Sequence, residues 1–199
     1  VFGLAVNGMV SISNLKKNST ATAGCKLYLT KALGVGILST AQKRGVLLPE
    51  DAAIALKSMT TLNKLGELFG AMEGVKAMTD VTGFGLLGHL SEMCEGSNLS
   101  AVLEFGKVPV IASLPYYLNQ GCFPGGTTRN WASYGSKIGP VTDEQKYILA
   151  DPQTSGGLLV AVSEDTAPAF ERTMLEEGYR VQPIGRLKPL DHGPLISVA

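Results

Sequence analysis

Gly157-Leu158-Leu159-Val160-Ala161-Val162 is a short apolar run that opens on glycine, the pattern of a buried strand. Thr166 to Glu177 reads as a helix, and Tyr179 to Arg186 as a returning strand. This strand-helix-strand tail is the clearest unit in the chain. It predicts strands interleaved with helices, and therefore a sheet with helical layers against it.

The same alternation extends upstream. Lys26-Leu27-Tyr28-Leu29-Thr30 alternates as a strand, and Ala32 to Arg44 becomes a helix that Gly45 stops. Pro49-Glu50-Asp51 is a helix start, and Ala53, Leu56, Met59, Leu62, Leu65 and Phe69 recur at three- and four-residue steps. That spacing predicts one long amphipathic helix. Val75 to Met78 is a strand leading into Thr79-Asp80, followed by a helix over about Phe84–Glu95 and a strand over Leu99–Phe105. Pro109 to Gly121 mixes proline turns with a short helix. Thr142 to Leu149 is a helix with Thr142 as N-cap and Gln145 completing a capping box. Val1 to Ile12 reads as one or two short strands, and Asn14 to Thr22 as a loop. Gly125 to Gly139 shows no periodicity and is expected to be a long loop. The fold expected is α+β over residues 1–199, a single domain with a mixed sheet of about four to six strands and helices packed against it.

Composition narrows the function classes. An apolar share of 45% with 17% charged residues is that of a globular chain. Seventeen basic residues balance seventeen acidic ones, and no basic cluster exceeds Lys16-Lys17, which argues against a nucleic-acid groove. No apolar run approaches the roughly 18 residues of a membrane span, so no membrane partner is expected. Cys25, Cys94 and Cys122 are scattered, with only His89 and His192 to assist them. That argues against a zinc site or disulfide framework and suits a reducing cytoplasm. The chain opens at Val1, inside what reads as a strand, and is expected to be a piece of something longer.

Three stretches can carry chemistry. In Asp80-Val81-Thr82-Gly83-Phe84-Gly85-Leu86-Leu87-Gly88-His89, a strand ends in a carboxylate and a glycine turn opens a helix. Asp80 can hold a hard cation such as magnesium, while the turn and helix start offer N–H groups to an anion. The competing reading is an aspartate that caps the helix. Asp151-Pro152-Gln153-Thr154-Ser155-Gly156-Gly157 is a rigid turn with several polar groups, or simply a tight entrance to a buried strand. Gly125-Gly126-Thr127-Thr128-Arg129-Asn130-Trp131-Ala132-Ser133-Tyr134-Gly135 either binds anions through Arg129 and the glycine N–H groups or is a surface loop pinned by Trp131 and Tyr134.

These blocks, with Lys17-Asn18-Ser19-Thr20-Ala21-Thr22-Ala23-Gly24-Cys25-Lys26-Leu27, resemble the selenophosphate synthetases in the same order and over nearly the whole chain. The Asp-x-Thr-Gly and Asp-Pro-Gln-Thr-Ser-Gly-Gly elements occur more broadly in the aminoimidazole ribonucleotide synthetase superfamily. The resemblance implies the carboxy-terminal domain type of that superfamily. It implies an enzyme converting ATP, selenide and water into selenophosphate, AMP and orthophosphate with Mg2+, as a homodimer of two-domain subunits. It implies further that an amino-terminal ATP-binding domain, absent here, carries the reactive cysteine or selenocysteine, so this chain alone is expected to be inactive.

Of the family's metal ligands, Asp80 is the one implied for this chain, with Thr82 and Gly83 lining the nucleotide site. Cys25 is expected to be a small buried residue, and His89 a partly buried histidine satisfied by backbone. Two rival readings remain at this point. One is the corresponding domain of a purine, thiamine or hydrogenase-maturation enzyme. The other is a non-enzymatic domain that binds a small molecule.

Overall fold

The computed structural model describes residue 3 and residues 5–199. Six strands form one sheet in the order β2-β4-β1-β5-β3-β6: β1 Lys26–Leu29, β2 Val75–Asp80, β3 Leu99–Leu103, β4 Leu158–Val162, β5 Gly185–Pro189 and β6 Ile196–Val198. All neighbouring pairs are antiparallel except β3 and β6, so the sheet is mixed, as expected. Among the described residues eight helices accompany it: α1 Val35–Lys43, α2 Pro49–Thr60, α3 Leu65–Ala71, α4 Gly85–Ser97, α5 Leu114–Leu118, α6 Gly125–Tyr134, α7 Asp143–Leu149 and α8 Ala167–Glu176.

The apolar run Leu158–Val162, β4, is buried along its whole length. Its side chains alternate between two cores. Leu158, Val160 and Val162 join Tyr28, Phe69 of α3 and Phe170 of α8 on one face. Leu159 and Ala161 join Leu27, Leu29 and the residues of α1, α4 and α7 on the other. On β2 a bulge between Val75 and Ala77 shifts the register, which lets Val75 face the first core and Ala77 the second. Antiparallel pairing then sets the geography of the site. The ends of β1 and β2 and the start of β4 share one edge of the sheet, where Leu29 and Asp80 pair with Leu159 and Leu158.

Four elements differ from expectation. The expected long helix is two, broken between Thr60 and Leu65. Leu56 and Leu62 are exposed, so their spacing marks no continuous core face. The Lys31 ammonium donates to the carbonyls of Ser58, Thr61 and Ser155 at 3.1, 2.7 and 2.8 Å, and Asn63 Nδ2 donates to Gly156 O at 2.8 Å. These tertiary bonds end α2 and pin the break to the Asp151 turn, overriding the local pattern.

The expected Gly125–Gly139 loop is largely helical, α6 followed by a single 3-10 turn. Its inward face, Thr127, Asn130 and Tyr134, has helical spacing but is built from polar residues, so an apolar count misses it. The strand expected over Tyr179–Arg186 begins only at Gly185 and runs to Pro189. Of the strands expected over Val1–Ile12, Val1, Phe2 and Leu4 lie outside the described residues. Gly3 and residues 5–11 form no strand, and a 3-10 turn spans Ile12–Asn14. Val6, Met9 and Ile12 are exposed; strand-prone side chains without a neighbouring strand make no ladder.

The capping box on α7 is present as expected, with Gln145 N donating to Thr142 Oγ1 at 3.2 Å and Thr142 N to Gln145 Oε1 at 2.8 Å. Cys25, Cys94 and Cys122 are buried and free. Among the described residues, no helix is long and apolar enough to cross a membrane.

Candidate functional site

The three motif stretches, far apart in sequence, meet at the shared edge of β1, β2 and β4. Asp80 closes β2, and the turn Val81–Phe84 carries the chain into α4. Other motifs grip this turn through three successive carbonyls. Gln153 N donates to Thr82 O at 2.9 Å, Asn130 Nδ2 to Gly83 O at 2.8 Å, and the Tyr134 hydroxyl to Phe84 O at 2.7 Å. Val81 N donates to Gly157 O at 2.8 Å, fastening the turn to the entrance of β4. Gly85 has φ +69°, and a Cβ there would meet Ala150 C at 2.8 Å, so only glycine lets the start of α4 lie on the end of α7.

With its carbonyls held inward, the turn leaves the N–H groups of Thr82, Gly83 and Phe84 without a protein acceptor among the described residues. Asp80 is exposed, and no described side chain hydrogen-bonds or pairs with its carboxylate. The capping alternative fails for this residue, because α4 has no side-chain cap. Thr82 is half-buried and its Oγ1 lies 3.2 Å from His89 Nε2. Gly83 is exposed, with open space where a Cβ would stand.

His89 is buried, but a side chain rather than backbone partners it, which corrects the sequence reading. Its Nδ1 lies 3.4 Å from Glu92 Oε2, without hydrogen-bond geometry, so the contact is ionic only when the ring is protonated.

The Asp151 turn has a different role. Asp151 is fully buried, and its Oδ2 accepts from Gly36 N at 3.0 Å, Ile37 N at 3.4 Å and Gln153 Nε2 at 2.7 Å. Gln153 Oε1 accepts from Gly34 N at 3.2 Å and Val35 N at 3.3 Å. Together the two side chains satisfy the four N–H groups that open α1, a cap supplied from a distant segment. Burial pushes the Asp151 carboxyl up to about 7, against the downward pull of these donors. Gly36 is required here because a Cβ would run into Asp151 Oδ1 and Pro152 O.

The arrangement can present one rigidly placed carboxylate beside free backbone N–H groups on an open face. Asp80 does not line the groove of about 320 Å³ between Thr30–Ala32, Gly106–Pro109 and Tyr179–Gln182. Among the described residues no three acidic, histidine or cysteine side chains gather as a metal-binding group. Asp80 thus offers a single carboxylate of the kind a hard cation takes, and the described residues do not make a complete metal site. The sequence reading missed Asn130, Gln153 and Lys31 as the residues that hold the site together. Their signal is weak, since an isolated polar side chain in a loop-like stretch announces no partner.

Fold and site define a class. Residues 22–196 match the family described as AIR synthase related protein, C-terminal domain, and the chain belongs to it. Within that class, a selenide, water dikinase of Pseudomonas putida is 56% identical over 187 residues, 94% of this chain and 54% of that protein. The chain thus spans about half the length of the curated relatives it matches. Among solved structures, thiamine-monophosphate kinase from Stenotrophomonas maltophilia aligns with a TM-score of 0.65 at 17% identity, covering 95% of this chain and 54% of that one. Hydrogenase maturation protein HypE in complex with ATP aligns with a TM-score of 0.61 at 16% identity, covering 92% and 50%. At such identities these two show the fold alone.

Proposed function

We propose that this chain is the carboxy-terminal part of a selenide, water dikinase and that its contribution to the reaction is the Asp80 turn. The parent enzyme would make selenophosphate, AMP and orthophosphate from ATP, selenide and water. The family match and the 56% identical relative support the activity. The single observation that carries the role of this chain is the Asp80 carboxylate, exposed and unpartnered among the described residues, on a turn whose Thr82, Gly83 and Phe84 carbonyls are all held from outside.

In this reading Asp80 holds one coordination position of Mg2+ on the ATP phosphates. Bound there, the cation supplies charge neutralisation as phosphoryl groups transfer. Gly83 lets a phosphate approach the turn without meeting a side chain, and the N–H groups of Thr82 and Gly83 donate to its oxygens. The remaining ligands and the rest of the nucleotide site come from the partner amino-terminal domain, and the whole works as a cytoplasmic homodimer.

The test is selenide-dependent AMP release by the intact protein, with and without Asp80→Asn. The substitution is expected to lower turnover about 10³-fold, roughly 4 kcal/mol of transition-state stabilisation. The isolated 199-residue chain is expected to release no AMP. Near-normal turnover in Asp80→Asn would return the residue to a passive role. AMP formation indifferent to selenide would move the parent to another branch of the superfamily.

A further inference from the structure

We propose that Asn130 is a positioning residue for the magnesium–phosphate turn, acting through the Gly83 carbonyl; the proposal rests on the function read above for Asp80. The geometry is specific. Asn130 is buried, and its amide nitrogen donates to two carbonyls, Gly83 O at 2.8 Å and Ala150 O at 3.1 Å. Both of its N–H bonds are thereby used, and the reverse orientation of the amide would set its oxygen against two carbonyl oxygens. One acceptor lies in the Asp80 turn and the other immediately precedes Asp151, so a single side chain ties the two turns together.

Four residues further along the same face of α6, Tyr134 takes the next carbonyl, Phe84 O, at 2.7 Å. Helix α6 thus grips two consecutive carbonyls of the turn from one rigid element. Both side chains are largely buried beneath the turn, with the Asn130 amide nitrogen and the Tyr134 hydroxyl spent on its carbonyls. Their effect is on where the turn stands. A displacement of about 1 Å in a reacting group costs up to about 10²-fold in rate, so loosening Gly83 acts on the carboxylate three residues before it.

The experiment uses the intact protein, with Mn2+ in place of magnesium and a non-hydrolysable ATP analogue, and reads Mn2+ affinity by electron paramagnetic resonance. Turnover is measured alongside. Asn130→Ala is expected to weaken Mn2+ binding about tenfold and to lower kcat by about 10²-fold, with the KM for ATP changed less than about twofold. A purely structural asparagine would lower the unfolding midpoint and the active fraction while leaving Mn2+ affinity untouched. Should Asn130→Ala not fold, Tyr134→Phe carries the test, because it keeps the ring and removes only the bond to Phe84 O; a shift of about threefold in Mn2+ affinity is then expected.

Unchanged Mn2+ affinity in the folded variant overturns the proposal. Asp80→Asn in the same titration separates the two claims. If it too leaves Mn2+ binding unchanged, the reading of the site itself has failed. If it abolishes binding while the Asn130 and Tyr134 variants do not, only the positioning role has failed.

Discussion

Two turns of this protein look alike as sequence, each an aspartate followed within a few residues by threonine and glycine, yet the fold gives their carboxylates opposite surroundings. Asp151 leaves the end of α7 and turns into the interior, where its Oδ2 accepts three hydrogen bonds and helps cap α1. Asp80 is the last residue of β2, at the rim of the sheet, with no partner among the described residues. A buried carboxylate at a helix N-terminus is offset by the helix's own N–H groups and dipole, and holds the structure together. A carboxylate kept in place by its neighbours' backbone bonds, but left without a partner, has both oxygens open to the face it stands on. The difference lies in what each side chain faces: Asp80 ends β2 opposite Leu158 at the rim of the sheet, whereas Asp151 lies against the first turn of α1.

The largest effect that would test this contrast is on catalysis. Asp80→Asn is expected to remove about 10³-fold of turnover in the intact protein and to change unfolding stability by less than about 0.5 kcal/mol, the range of surface substitutions. A large stability loss would mean that Asp80 is structural after all. Asp151→Ala is its counterpart. Measured at pH 5, where Asp151 keeps its proton, it is expected to destabilise by about 3 kcal/mol, since Gly36 N and Ile37 N lose their acceptor in a buried setting. Wild-type stability in that variant, read by urea unfolding, would erase the distinction between the turns.

Most of the sheet was legible because β1 and β3 alternate while β2 and β4 carry short apolar stretches bounded by turn residues, patterns that burial on one or both faces demands. The start of α7 was legible down to its two capping bonds, which involve residues three apart. What escaped was decided by distant partners. Lys31 and Asn63 end α2 from across the fold, and α6 buries Asn130 and Tyr134 for bonds whose acceptors lie 20 to 50 residues away. Asp80 itself was legible as a strand-end carboxylate. The convergence of Asn130 and Gln153 on its turn was not, since no local pattern encodes which carbonyl a buried amide will meet.

The contrast also has a pH dependence. Burial raises the Asp151 carboxyl from its ordinary 3.8 to about 7 in the folded protein. Between those values the folded state binds more protons than the unfolded one, so stability falls as pH rises through that window and levels off above it. The loss is expected to be on the order of 2 kcal/mol between pH 5 and 7.5. Asp151→Asn, which keeps an acceptor but cannot ionise, should flatten this part of the stability profile. A wild-type profile as flat as the variant's would show that the α1 N–H groups hold the carboxylate charged at no net cost.

The smallest expected effect belongs to Thr82, which stands between the two behaviours. Its hydroxyl lies 3.2 Å from His89 Nε2, yet its backbone sits in the turn that faces the proposed phosphates. Thr82→Val keeps the β-branched shape and removes only the hydroxyl. If backbone N–H groups do the phosphate contact, the variant loses one hydrogen bond, worth about 1 kcal/mol, and turnover falls less than about tenfold with Mn2+ affinity unchanged. If turnover instead falls as far as in Asp80→Asn, the hydroxyl and His89 belong to the reaction, and the site extends inward from the carboxylate along α4. The same variant's stability separates the cases further. A pair that only satisfies a buried histidine should register as a small shift in the unfolding midpoint and leave the ATP dependence of the rate unchanged.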